Sequence, residues 1–210
     1  MATSKNNSQF QGKIGRTVTY LLNGQWVTRT IGINDAPPTW LQLAARQVMG
    51  LVTFFLRPVK GFIKIGFALA VKNTFLTPNN KASSVNMLRA VAGEYPNQYI
   101  DYPKAVFSEG TLPVNTDFKV SLKDDGLLFE WEPSNLLRGM LPTDRVMVIA
   151  YCPEKKYAFY ETDGSRRQKG SFHLPLVKFD EEVVLHTYAA FIAANQSKIS
   201  NSTYTGEFRW

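Results

Sequence analysis

From about Tyr102 to the C-terminus, short apolar runs alternate with turn-forming residues, and this rhythm narrows the possible folds more than any other feature of the chain. Candidate strands cover residues 105–109, 117–122, 127–131, 145–151, 156–161, 171–176, 183–193 and 203–210. Between them stand Asp124-Asp125-Gly126, Pro133-Ser134-Asn135, Cys152-Pro153 and Asp163-Gly164. Several short strands at such spacing predict an antiparallel sandwich or barrel. Leu127, Phe129 and Trp131 alternate on one face of their strand, which puts Trp131 in the core. In 183–193, Val184, His186, Tyr188 and Ala190 alternate with Leu185, Thr187, Ala189 and Phe191. If the first set faces inward, Tyr188 joins the layer of Trp131.

The first hundred residues read differently. Residues 1–12 are polar and form an arm. Residues 14–22 and 25–33 are β-branched and aromatic runs about Asn23-Gly24, a dipeptide suited to the positive φ angles of a type I′ turn, so they predict a β-hairpin. A two-residue loop pairs Leu22 with Gln25, Leu21 with Trp26 and Val18 with Arg29. One face then carries Tyr20, Val27, Val18, Arg29, Arg16 and Ile31, and the other carries Leu21, Trp26 and four threonines. Such a hairpin is marginal alone and must pack on something. Asp35-Ala-Pro-Pro breaks the sheet. Thr39-Trp-Leu-Gln42 has capping-box form, and a helix follows to about Leu56, since Pro58 disfavours helical geometry at Arg57. Leu41, Ala44, Ala45, Val48, Leu51, Val52 and Phe55 make its apolar stripe, widened by Trp40, Leu43 and Phe54. A strand or a short helix both fit 59–71, with helix preferred. Thr77-Pro-Asn-Asn reads as a loop, and 82–92 as a short helix carrying Val85, Leu88 and Val91.

At 210 residues the chain has room for one large domain or two small ones. The change of pattern sets the expected division at 1–100 and 101–210. Charge divides similarly: residues 1–100 hold eleven Lys/Arg against two Asp/Glu, and residues 101–210 hold thirteen against fifteen. A basic half implies either a solvated positive face or an anionic partner. Its candidate interface and anion-binding residues are Arg16, Arg29, Trp26, Arg46, Arg57, Lys60 and Lys64. The loop Ser165-Arg-Arg-Gln-Lys is a second basic segment.

Catalytic chemistry finds little support. The chain lacks GxSxG, a Walker loop, HExxH and GxGxxG. One cysteine, Cys152, excludes an internal disulfide framework and a Cys-cluster metal site, and two histidines, His173 and His186, cannot supply a multi-His site. Cys152 at a strand end reads as a structural thiol, and His186 as a packed or surface histidine. The acid groups Asp124-Asp125, Glu130/Glu132 and Asp180-Glu181-Glu182 read as solvated turns and faces rather than cation ligands. No cofactor and no metal are expected. The N-terminus lacks the apolar core of a secretory signal, and the run 47–56 is too short to span a bilayer. The expected setting is cytoplasmic or particle-associated.

The strand LLFEW ending at Trp131, the following Glu132-Pro133, the strand VMVIAY and Tyr188 resemble a fibronectin type III or immunoglobulin-like module over the last 90 or so residues. The long connection 136–142 departs from that pattern. Over nearly the whole chain, a second resemblance rests on Phe10-Gln-Gly-Lys-Ile-Gly, Asn-Gly-Gln-Trp-Val-Thr-Arg, Pro38-Thr39 leading to Gln42-Leu-Ala-Ala-Arg46, Phe55-Leu-Arg-Pro, Ile65-Gly-Phe, Tyr99-Ile-Asp-Tyr-Pro and Ser200-Asn-Ser-Thr-Tyr-Thr-Gly. In these the chain is similar to an uncharacterised Bacteroidota family, a domain of unknown function, which implies no activity.

The sequence therefore predicts an α+β protein: an N-terminal β-hairpin with helices, then an immunoglobulin-like antiparallel sandwich. The broad apolar stripes of 40–71 point to an interface. A non-enzymatic structural, self-assembling or scaffold protein, as in a phage-like or filamentous particle, is the leading functional expectation. Its partner is another copy or another protein. The alternative is a nucleic-acid-binding protein using the basic half.

Overall fold

A computed structural model describes residues 3–4, 10–22, 24–33, 35–114, 117–134 and 136–210. The class is α+β, as expected. The chain divides into two compact units, Met1–Thr39 and Trp40–Trp210.

Unit 1 is an antiparallel sheet in the order β1(Thr3–Ser4), β2(Phe10–Ile14), β3(Thr17–Leu22), β4(Gln25–Thr30). The register of β3 and β4 is the predicted one, with Leu22 opposite Gln25, Leu21 opposite Trp26 and Val18 opposite Arg29. Gly24 takes φ +81°, and Asn23 lies outside the described residues. The first run is not one strand. Gly15, at φ +57°, turns the chain so that Ile14 ends β2, and β2 pairs back on β3 through Gly12–Thr19 and Ile14–Thr17. Part of the expected arm is therefore sheet; residues 1, 2 and 5–9 of it lie outside the described residues.

Unit 2 has three layers. Its middle is an antiparallel sheet, β10(Tyr157–Glu161), β9(Arg145–Cys152), β12(Val184–Ile192), β13(Thr203–Arg209) in that order. One face meets the sheet β11(Ser171–Pro175), β8(Gly126–Glu130), β7(Lys119–Lys123). Leu127, Phe129, Trp131, Val148, Leu185 and Phe191 fill the space between them. The other face meets α1(Trp40–Leu56), a 3-10 turn at Arg57–Val59, α2(Lys60–Gly66) and α3(Pro78–Arg89), after which β5(Val91–Ala92) pairs with β6(Tyr99–Ile100) as a short antiparallel ribbon. Val52, Phe55, Phe62, Ile63, Ile149, Tyr151 and Tyr188 form this second core. The central strands are buried on both sides, so β9 runs Val-Met-Val-Ile-Ala-Tyr-Cys without a polar interruption. Residue 100, where the pattern of the sequence changes, falls inside this unit, and the helices before it share a core with the strands after it. Among the described residues no helix is long and apolar enough to cross a membrane.

Further expectations are corrected. Trp131 is in the core, at 5% exposure, but Tyr188 lies on the opposite face of the central sheet, in the helical layer. It is Leu185, Ala189 and Phe191 that meet the tryptophan's layer. Helix α3 begins at Pro78 rather than 82, because the Thr77 hydroxyl accepts from the Asn80 N–H at 3.2 Å and Pro78 occupies the first turn. It leaves Leu88 83% exposed while burying Val85.

Residues 105–109 are not a strand. The segment is an extended strap whose backbone bonds to side chains from distant parts of the chain. Buried Asn86 accepts from Val106 N–H at 2.9 Å and donates to its carbonyl at 2.7 Å. Phe107 N–H donates to Ser202 Oγ, Ser108 Oγ to the Ser200 carbonyl, and Gly110 N–H to Asn201 Oδ1. The Ser200-Asn-Ser motif thus clamps the strap. The approach is close enough that a Cβ on Gly66 would strike the Phe107 carbonyl and one on Gly110 the Ile199 carbonyl. Phe107 then stands among Phe55, Phe62 and Tyr188, with ring centroids 4.5–6.5 Å away.

Candidate anion-binding and interface sites

Between Asp35 and Glu94 the sequence contains no carboxylate, while Arg46, Arg57, Lys60, Lys64, Lys72, Lys81 and Arg89 all fall there. This stretch makes the whole helical layer of unit 2. The three helices have no acidic residue in their first turns. Of the seven cations only Lys81 has an ion-pair partner among the described residues, Glu109 at 3.3 Å. The layer presents one sign of charge.

The predicted residues are brought together only in part. Arg57 and Lys60 border one cavity of about 210 Å³, completed by Thr53, Leu56, Asn79 and Ser83. The Arg57 guanidinium lies 5.7 Å from the centre of the Phe54 ring, which Lys156 also approaches, at 5.6 Å. Arg46 on α1 and Lys64 on α2 are exposed and line no part of that cavity. In unit 1, Arg29 sits over Tyr20 at 6.0 Å, on the face that also carries Lys13 and Val18. Arg16 occupies the β2–β3 turn, its carbonyl accepting from Ile31 N–H at 2.7 Å. Trp26 pairs with Leu21 and faces the other way from Arg29. Thr53, Asn79 and Ser83 were not singled out in the sequence; an uncharged residue becomes part of a cavity only once helices have packed.

The face of unit 1 that holds Trp26 is uncharged. Alternation along the strands places Phe10, Ile14, Thr17, Thr19, Leu21, Trp26, Thr28 and Thr30 there. Phe10, Ile14 and Leu21 are each more than half exposed. Thr19 and Thr28 hydroxyls bond one another at 2.9 Å, and Thr17 Oγ1 donates to the Ile14 carbonyl at 3.0 Å.

The second basic segment is not available to a ligand as a whole. Arg167 is buried at 1% exposure, its guanidinium 3.6 Å from the Phe191 ring centre and its Nε 3.4 Å from Asp144 Oδ2. Burial lowers its pKa from the usual arginine value, with Asp144 acting against the shift. Cys152 and His186 lie on opposite faces of the central sheet and cannot pair. The His186 ring stacks on Tyr102 at 4.0 Å, and its Nδ1 is 3.2 Å from the Tyr204 hydroxyl. Burial lowers the His186 pKa from the usual histidine value, against the pull of Glu207 and Glu154. Burial also raises the phenols of Tyr151 and Tyr188, and Tyr188 donates to the Tyr102 carbonyl at 2.8 Å. This cluster is packing. Among the described residues no group of three or more His, Cys, Asp or Glu could hold a metal ion.

These features define an α+β protein with a basic helical layer and an uncharged sheet face. Residues 9–206 match the family described as "Family of unknown function (DUF6266)", and the chain belongs to that family. No curated protein and no solved structure matches it.

Proposed function

We propose that the protein is a non-enzymatic structural protein that assembles with copies of itself, as a unit of a filament or a phage-like particle. The observation that carries this reading is that no described residue of unit 1 is buried. A sheet of this size with no fully buried residue is unstable alone. A second copy is the occupant its chemistry favours. Two uncharged faces can be desolvated against each other, and their threonines already satisfy part of their hydrogen bonding internally. The opposite face, with Lys13 and Arg29, would repel its own copy. The immunoglobulin-like reading of residues 101–210 suits an interaction scaffold, and the shared motifs favour a Bacteroidota origin. Light scattering across a concentration series tests the proposal. The mass should rise with concentration, and Leu21→Glu should return it to one chain while Arg29→Glu does not. A single-chain mass for the unaltered protein at every concentration overturns it.

The carboxylate-free stretch favours a second reading, nucleic-acid binding through the basic half. Affinity for a duplex or single strand should then fall log-linearly with salt as neutralised phosphates release counterions. Arg16→Glu with Arg29→Glu should weaken it, and Arg46→Glu with Lys64→Glu, two exposed cations of the stretch itself, should abolish it. No binding at low salt removes this reading.

A further inference from the structure

We propose that the cavity where α1, the following 3-10 turn, α2 and α3 meet binds a phosphate-type oxyanion. Its volume, about 210 Å³, equals that of about seven liquid waters, enough for a tetrahedral ion with part of its water shell. Five of its six lining residues bear polar side chains, namely Thr53, Arg57, Lys60, Asn79 and Ser83, and every one can donate a hydrogen bond. No carboxylate lines it. Neither Arg57 nor Lys60 has an ion-pair partner among the described residues, so neither charge is neutralised within the chain.

The mixture of donors selects the ligand class. A guanidinium offers two parallel N–H groups, an ammonium offers a point charge with rotatable donors, and hydroxyl and amide groups add single bonds. Four elements contribute them, so the donors approach from several directions. A carboxylate has two oxygens in one plane and would leave donors unmet, whereas phosphate presents oxygens on all sides. The ring of Phe54 beside the Arg57 guanidinium limits the positions the arginine samples. The site uses no residue of unit 1, so it stands apart from the assembly reading.

Calorimetric titration of the full chain with inorganic phosphate, against chloride at matched ionic strength, tests the site. Saturable one-to-one binding is expected. Arg57→Gln should weaken it at least about tenfold, since a hydrogen bond to a charged group is worth about 1.5–3 kcal/mol, and Ser83→Ala should weaken it less. Lys72→Gln, an exposed cation of the same stretch outside the cavity, should bind as the unaltered protein does. Thermal melts of each variant confirm that it is folded. A phosphate heat no different from chloride overturns the proposal, and so does an equal loss in Lys72→Gln, which would make the effect one of general charge. A parallel titration with a short oligonucleotide separates the sources. Tighter binding of inorganic phosphate assigns the site to a free ion, and tighter Arg57-dependent binding of the oligonucleotide assigns it to a phosphodiester.

Discussion

Replacing Arg167 by alanine is expected to destabilise unit 2 by about 3–5 kcal/mol, because it strands a buried carboxylate. Asp144 and Arg167 are both about 1% exposed. Their contact, 3.4 Å from Nε to Oδ2, is an ion pair rather than a well-formed hydrogen bond, and Asp144 Oδ1 and Arg167 Nη2 have no partner among the described residues. The guanidinium's flat face over Phe191 supplies what this geometry lacks, a cation–π contact out of water. Backbone bonds fix the arrangement: Arg167 N–H donates to the Asp144 carbonyl at 2.6 Å, and Leu141 N–H to Asp144 Oδ2 at 2.9 Å. Truncating the arginine removes the charge partner and leaves a void against Phe191 together. Arg167→Met combined with Asp144→Leu removes both charges and refills the space, so it should recover most of the loss. Recovery should stop short of completeness, since Leu141 N–H loses its acceptor. Urea unfolding at pH 7 measures both. An Arg167→Ala curve within about 0.5 kcal/mol of the unaltered protein, the range of ordinary surface changes, would mean the pair contributes nothing.

In the sequence Arg167 stands only as part of a basic loop, apart from Asp144, and the reason their pairing is not legible there is general to this fold. Local patterns report the period of a strand and the chemistry of a turn, and seven of the eight expected C-terminal strands occur at or close to their expected positions. They do not report what covers each face. The central strands β9 and β12 carry apolar residues on both faces, which is the signature of a sheet covered on both sides. Reading β12 as inward on one side and outward on the other put Tyr188 in the wrong layer. The strap at 105–109 misled for a related cause. Its side chains look like those of a strand, but its backbone partners, Asn86 and Ser200 to Ser202, lie 20 to 95 residues away. Charge was more legible than hydrogen bonding. Arg57 and Lys60 stand out by composition, while Thr53, Asn79 and Ser83 join them only after α3 packs beside α1 and α2. The hairpin register already separated Trp26 from Arg29, so the split of that candidate group was readable from the start.

Trp131→Ala should also cost about 3–5 kcal/mol, by a different mechanism: the loss of a large apolar body from a layer that cannot collapse around the gap. The indole packs edge-on to Phe191 at 5.4 Å and against Phe118 at 6.0 Å. Its Nε1–H donates to the Arg167 carbonyl at 2.8 Å, and its own backbone N–H donates to the Gly170 carbonyl at 2.9 Å. Trp131 therefore holds the loop that delivers Arg167 as well as filling space. Domains hold only about 5–15 kcal/mol in all, so this one change could leave unit 2 unfolded near physiological temperature. Were Trp131 instead a platform for stacking a sugar or base, its removal would leave the melting temperature unchanged and abolish ligand binding. An indole at 5% exposure with its N–H already occupied does not offer such a platform. The shared contacts also make the two large effects dependent on each other. Once Trp131 is gone, the loop has lost its anchor, and Arg167→Ala should add less than it costs alone. A double-mutant cycle should give a coupling of about 0.5–3 kcal/mol, the range for residues in contact. Strict additivity would show that Trp131 and Arg167 stabilise the sandwich separately, and a near-unchanged melt for Trp131→Ala would remove the tryptophan from the core.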